Sequence, residues 1–296
     1  TLIDAGTAGW ANYDAFHNTV IANSLCRVHS AVGYNSSGQV ELGYLEDYNR
    51  TQIRPDRIRR LLEKYPGEVV GIKMRFQKEV VGEDGLHYLE ELITVAEEVG
   101  CPVVVHTTNP PVHGGAIASL LRKGDIYCHC YQGKGLTILD ENGAVRPEVL
   151  AARKRGVLFD AANGTSNFSF AVARAAMQDG FYPDLIGADN AINSFGLALY
   201  ATNLPFVLSK YLSLGMGLMD VLACATSAPA KFLGRTDIGT LHPGALADLA
   251  IFSMSNRETS FWDSVKTAET EVIGHEMLVP RMTWLGGQVV FRSNDF

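Results

Sequence analysis

The chain has 296 residues, 47% of them hydrophobic and 19% charged, with a formal net charge of −7. It is too long for a mini-protein and too apolar to be disordered, and a chain of this size buries about three-quarters of its surface on folding. The acidic balance and the lack of a basic stripe argue against nucleic acid as a partner, and no apolar run reaches the roughly 18 residues that span a bilayer.

Residues 1–5 read as a strand already under way, with no Met and no turn residue ahead of it, so further residues are expected upstream. Short apolar runs follow at 27–33, 69–76, 102–107, 125–131, 156–161 and 184–189. Between them, 56–64, 88–99 and 170–179 repeat apolar residues at spacings of three and four, which predicts amphipathic helices. Residues 34–43 read as a loose polar loop. Alternating strands and helices predict βαβ units and a parallel sheet. Seven strands are countable, whereas a TIM barrel has eight, so the first is expected upstream of residue 1; a doubly wound open sheet is the alternative. Helices are then predicted at 197–214, 218–225 and 228–233. From Gly239 the character changes, and 241–253 and 282–292 are strand-like. The expected organisation is an α/β TIM barrel over 1–238, with 239–296 forming the C-terminal part of a small β-sandwich.

Five cysteines, at 26, 101, 128, 130 and 224, form no Cys-x-x-Cys pair and read as reduced thiols of a cytoplasmic protein. Chemistry concentrates elsewhere. Alternate side chains of a strand face opposite sides. Val70, Ile72, Met74 and Phe76 share one face of 69–76, and Val69, Gly71, Lys73 and Arg75 share the other. Two cations on the inward face need a reason, because an unpaired buried ammonium is costly. Alone, Lys73 reads as a strand-end lysine reaching solvent or a carboxylate. His106 ends Pro-Val-Val-Val-His, His129 sits in Ile-Tyr-Cys-His-Cys-Tyr, and Asp189 ends Leu-Ile-Gly-Ala-Asp. Each has a plausible structural role by itself. Together the four stand at the C-terminal ends of four strands, the face that carries TIM-barrel chemistry. Two histidines, an aspartate and a modifiable lysine suit zinc or a similar divalent ion. Cys128 and Cys130 point away from His129 on a regular strand and read as small buried side chains. His113 reads as a solvated loop histidine, and neither a P-loop nor a nucleophile elbow is present.

These residues resemble the amidohydrolase superfamily, in its branch of amidohydrolase/deacetylase metallohydrolases similar to dihydroorotases. The resemblance covers essentially the whole chain. It rests on Ile3-Asp4-Ala5-Gly6-Thr7-Ala8-Gly9, Val70-Gly71-Ile72-Lys73-Met74-Arg75, Val105-His106, Cys128-His129-Cys130-Tyr131-Gln132-Gly133 and Ile186-Gly187-Ala188-Asp189. The segment Gly239–Leu249 looks like the return strand into the superfamily's small β-sandwich. The resemblance implies two divalent metal ions, Zn2+ or Mn2+, bridged by a CO2-derived carbamate on Lys73. His106 and His129 would bind one ion. Asp189 would bind the other and act as the catalytic proton carrier.

Three features depart from the pattern. The superfamily's strand-one His-x-His is not in these residues, Asn163-Gly164 stands where relatives carry His-Gly, and Asn190-Ala191 follows the strand-eight aspartate. Arg75, Asn109, Tyr131, Gln132 and Asn163 are the substrate-pocket residues implied, with Arg75 either an anion-binding fork or the partner of a neighbouring strand's carboxylate. The implied activity is hydrolysis of an amide or ester of a small, anionic molecule, led by deacetylation. A cyclic amidase and a purine-type deaminase are the alternatives of the same class, and a metal-depleted scaffold is the alternative of another. A small-molecule substrate, no nucleic acid, no membrane and a homo-oligomer are expected.

Overall fold

A computed structural model describes residues 1–41, 45–191, 203–264 and 270–296. They fall into two compact units, Thr1–Cys128 with Lys134–Phe159, and His129–Gly133 with Asp160–Phe296. The sequence boundary at Gly239 lies inside the second.

The first unit alternates strand and helix: β1 (Leu2–Gly9), α1 (Tyr13–Thr19), β2 (Val28–Gly33), α2 (Pro55–Lys64), β3 (Val69–Arg75), α3 (Lys78–Val81), α4 (Leu86–Val99), β4 (Val103–His106), α5 (Gly114–Leu120), β5 (Ile126–Cys128), α6 (Pro147–Arg155) and β6 (Leu158–Asp160). The six strands form one sheet in chain order, and the ladders from β1 through β5 are parallel. Proline opens α2 and α6 at the first turn, where its missing N–H costs no helical bond. Along α4, Leu89, Leu92, Val95 and Ala96 are buried, the spacing of a single apolar stripe. Ile72, Met74 and Phe76 are completely buried, as the strand alternation predicts. The register sets Arg75 beside His106 and His106 beside Cys128, so these strand ends stand in one row.

The loop after β2 is tighter than a loose polar segment. Asn35 is buried and its Oδ1 accepts from the Gly38 N–H at 2.9 Å, while Gln39 N–H donates to the Gly6 carbonyl at 2.9 Å. Side-chain and backbone bonds replace the apolar contacts that its composition lacks. Residues 42 and 43 lie outside the described residues.

In the second unit the helices are α7 (Phe170–Gln178), α8 (Leu204–Ser213), α9 (Leu218–Ala225) and α10 (Ser227–Phe232). The strands are β7 (Leu249–Ser255), β8 (Thr259–Phe261), β9 (Val272–Gly274), β10 (Met277–Leu285) and β11 (Gln288–Arg292). The helix predicted over 197–214 is described only from residue 203. Residues 184–189 run parallel to the chain leaving β6 through a single bridge, Asp160 to Leu185. Ala161 and Asn163 donate to the Leu185 and Gly187 carbonyls at 3.0 and 3.1 Å, too short a ladder for a regular strand.

Strands β11, β10 and β7 make an antiparallel sheet, and β8 pairs with β9. The run 282–292 is therefore two strands rather than one. They join through Gly286-Gly287, both at positive φ, a two-residue turn that matches strand twist. The run 241–253 enters its strand only at Leu249, because a turn closed by Ala245 N–H on the His242 carbonyl precedes it. No helix among the described residues is long and apolar enough to cross a membrane.

Candidate active site

In the first unit Lys73 is only 8% exposed. Its aliphatic stem lies over Gly6 of β1: a Cβ built on Gly6 would stand 2.7 Å from Lys73 Cγ, and φ there is +91°. Only glycine supplies both the space and that backbone. The Lys73 side chain makes no hydrogen bond or salt bridge among the described residues, while its carbonyl accepts from Tyr34 N–H at 2.8 Å; the carboxylate of Glu46 is close enough to feel its charge. That carboxylate is buried and accepts from Arg75 Nη1 at 2.9 Å. Burial pushes the Glu46 carboxyl up, against the pull of Arg75 and, more weakly, of Lys73. Arg75 thus pairs with a loop carboxylate, which offsets the charge of the expected anion-binding fork. Its backbone N–H donates to the Tyr48 hydroxyl at 2.8 Å. His106 is half-buried at the end of β4. Asn109, three residues on, donates from Nδ2 to Glu79 Oε1 at 2.8 Å.

In the second unit His129 is 2% exposed, and its Nδ1 lies 2.7 Å from the Ala162 carbonyl. A carbonyl only accepts, so Nδ1 carries the proton and Nε2 the lone pair, the tautomer that binds a metal through Nε2. Asp189 is exposed, and Asn167 donates to its Oδ2 at 2.7 Å. The same oxygen lies against Gly164, at φ +53°, where a Cβ would collide with it. Tyr131 is fully buried and its hydroxyl donates to the Phe181 carbonyl at 2.7 Å, which commits it to the core. Gln132 is buried, with its backbone N–H on the His129 carbonyl at 3.0 Å. Asn163 is completely buried; its Nδ2 donates to the Tyr211 hydroxyl at 2.9 Å, and its Oδ1 accepts from Lys210 Nζ at 3.4 Å. Cys128 and Cys130 are buried.

Backbone strain marks the same places. Among the described residues, the non-glycine positions at positive φ are Asn109, His129, Ala162 and Asp189. Asn109, His129 and Ala162 follow strand ends and Asp189 closes the segment bridged to Asp160; three are site residues read from the sequence, and Ala162 carries the carbonyl bonded to His129. Strain of this kind costs of order 1–3 kcal/mol per residue and concentrates at functional sites.

Glu46, Asn167 and Lys210 were not visible as site residues in the sequence. Glu46 and Asn167 lie in loops with no period. Lys210 had one signal, a lysine three residues after Val207 on the apolar stripe of α8.

No group of three or more His, Cys, Asp or Glu side chains among the described residues stands ready to hold a metal ion. A lysine lies outside such a set. Lys73 nevertheless fits a ligand role after carboxylation: it is buried, lacks an ion-pair partner, and rests in a cradle that a Cβ would fill. His129 fits through its fixed tautomer.

A parallel α/β sheet with its strained and ionisable residues at strand C-termini defines a strand-end enzyme of the barrel class. Residues 50–290 match the model of the amidohydrolase family. A deacetylase of Enterococcus faecalis is 31% identical over 292 residues, which cover 98% of this chain and 77% of that protein. A solved adenine deaminase matches with a TM-score of 0.90 and 29% identity, over 98% of this chain and 77% of its own. A solved dihydroorotase matches with a TM-score of 0.87 and 27% identity, over 99% and 76%. The chain belongs to the amidohydrolase family. It is a hydrolytic enzyme of that superfamily, with a TIM-barrel α/β fold and a small β module. Members of this superfamily typically bind divalent metal ions.

Proposed function

We propose that the protein is a metal-dependent acyl hydrolase that removes an acyl group, acetyl first, from a small N-acyl or O-acyl carboxylate. The observation that carries this reading is Lys73: a side chain only 8% exposed near a strand end, without a salt bridge among the described residues, over a glycine that makes room for its stem. The family match and the E. faecalis deacetylase support the substrate class.

In this reading Lys73 first gives one ammonium proton to water; the neutral amine then attacks CO2, an N–C bond forms as a C–O π bond opens, and the nitrogen loses a second proton to solvent, leaving a carbamate whose single negative charge is shared by two oxygens. Lys73, His106, His129 and Asp189 are the ligands proposed for two divalent ions, zinc or manganese. When bound, those ions supply Lewis acidity that brings the pKa of water towards neutrality and polarises the acyl carbonyl. His129 offers Nε2 because the Ala162 carbonyl holds the proton on Nδ1. Asp189 takes a proton from the attacking water and passes it to the departing amine or alcohol. Asn109 and Gln132 are the pocket residues proposed to meet the rest of the substrate.

The test is acetate release from a panel of N-acetyl and O-acetyl carboxylates, run beside adenine and dihydroorotate. The reading expects turnover on acetyl substrates that stops on chelation. Turnover confined to adenine would replace it with a deaminase, turnover confined to dihydroorotate with a cyclic amidase, and no bound metal and no turnover even after added zinc and bicarbonate with a scaffold.

A further inference from the structure

The carboxylate of Asp189 is set by one short turn. Asn167, itself buried, donates from Nδ2 to Asp189 Oδ2 at 2.7 Å, and Gly164 presents a bare Cα to the same oxygen. Backbone bonds stitch this turn to the segment that carries the aspartate: Asn163 N–H to the Gly187 carbonyl and Gly164 N–H to the Ala188 carbonyl, both at 3.1 Å. Asn167 N–H returns to the Asn163 carbonyl at 3.2 Å, which closes the turn.

Asn163 anchors this turn from behind. Its amide is gripped at both ends by consecutive residues of α8, Oδ1 by Lys210 and Nδ2 by Tyr211. Lys210 is 1% exposed; it also donates to the Trp262 carbonyl at 3.2 Å and lies 4.6 Å from the centre of the Phe168 ring. Burial pulls its amine down to about 7, against the opposing charge of Asp263. A methionine would fill such a position without burying an ammonium. It could not hold the Asn163 oxygen.

We propose that Asn167, backed by Asn163 in the grip of Lys210 and Tyr211, is a positioning array that orients the Asp189 carboxylate for metal and proton. The inference rests on the reading of Asp189 as ligand and proton carrier. Outer partners of a metal ligand are commonly worth 10–100-fold in metal affinity or activity.

The experiment compares Asn167→Ala, Asn167→Asp and Tyr211→Phe with the unaltered full chain. It measures zinc affinity by chelator competition, kcat and KM on an N-acetyl carboxylate, and the melting temperature. Asn167→Ala is expected to lose about 10–100-fold in kcat or in zinc affinity, with KM changed less than about twofold. Asn167→Asp has the same size but replaces the amide donor by a second carboxylate against Asp189, so it is expected to lose at least as much kcat as Asn167→Ala; a kcat within twofold of the unaltered enzyme would contradict the donor role. Tyr211→Phe keeps the buried ring and reports on the array even where the Asn167 variants fail to fold, with a smaller kcat loss expected in the same direction. All variants within twofold of the unaltered enzyme in kcat and zinc affinity would overturn the array while leaving the hydrolase reading intact. Should the unaltered enzyme release no acetate, the hydrolase reading falls. Zinc affinity then decides the array alone: a tenfold loss in Asn167→Ala upholds it, and an unchanged affinity overturns it.

Discussion

Two buried lysines, one in each unit, have opposite surroundings. Lys210 is packed by aromatic faces, an amide oxygen, a backbone carbonyl and the charge of Asp263. Lys73 has a glycine beneath its stem, Glu46 as an electrostatic neighbour, and no side-chain hydrogen bond or salt bridge among the described residues. A protein that buries a cation for structure surrounds it with acceptors, because an unpartnered charge in the interior is expensive. Lys210 follows that rule. Lys73 has no such set of acceptors among the described residues, which is the surrounding that the proposed conversion to an anionic ligand calls for.

The largest effect that separates the two is on activity. Lys73→Met is expected to reduce acetate release at least about a hundredfold and to remove bound metal, since it deletes a direct ligand rather than an outer partner. Metal content and turnover unchanged in that variant would contradict the ligand role. Next is the carboxylate that faces the Lys73 region. Glu46→Ala removes the carboxylate paired with the Arg75 guanidinium, whose side chain is 15% exposed. The expected loss is about 2–3 kcal/mol of unfolding free energy by denaturant titration, towards the lower limit for breaking a buried pair. A change below about 0.5 kcal/mol would show that Arg75 finds another partner.

The glycines that shape each site come third. Gly6→Ala drives a Cβ into the Lys73 stem, and Gly164→Ala drives one into Asp189 Oδ2. Both also force alanine into a left-handed backbone, at a cost of about 1–2 kcal/mol. Each variant should lower kcat by more than its stability loss explains, measured at a temperature where both remain folded.

The comparison also shows what the amino-acid sequence discloses. As candidates, His106 and Asp189 were legible because each ends an apolar run, His129 because it interrupts one, and Lys73 because strand alternation set it on an inward face, where it is buried. The helices α2, α4 and α7 were legible for the same reason, an apolar period that packing enforces. Lys210 was hidden because a helical lysine ordinarily marks the solvent side, and here tertiary packing overrides that pattern. Glu46 and Asn167 were hidden because loops carry no period, and their roles come from partners distant in sequence. The run 282–292 was legible as strand but its reversal was not, because periodicity alone does not register a Gly-Gly turn.

The smallest effect is a pH dependence. The Lys210 amine lies near 7 when folded, against 10.5 for an unperturbed lysine. Between those values the unfolded chain binds more protons, so unfolding free energy rises with pH across this window. The difference in stability between wild type and Lys210→Met should therefore shift in favour of wild type from pH 7 to pH 9, and stay level below about pH 6. A flat difference from pH 6 to 9 would mean that the amine keeps its ordinary pKa.

The most direct measurement of the central claim is carbon-13 NMR of the zinc-loaded full chain equilibrated with 13C-bicarbonate. The account predicts one protein-bound carbamate resonance in the wild type and in Lys210→Met, and none in Lys73→Met. A resonance that survives Lys73→Met, or a wild type that binds zinc without any carbamate signal, would contradict it.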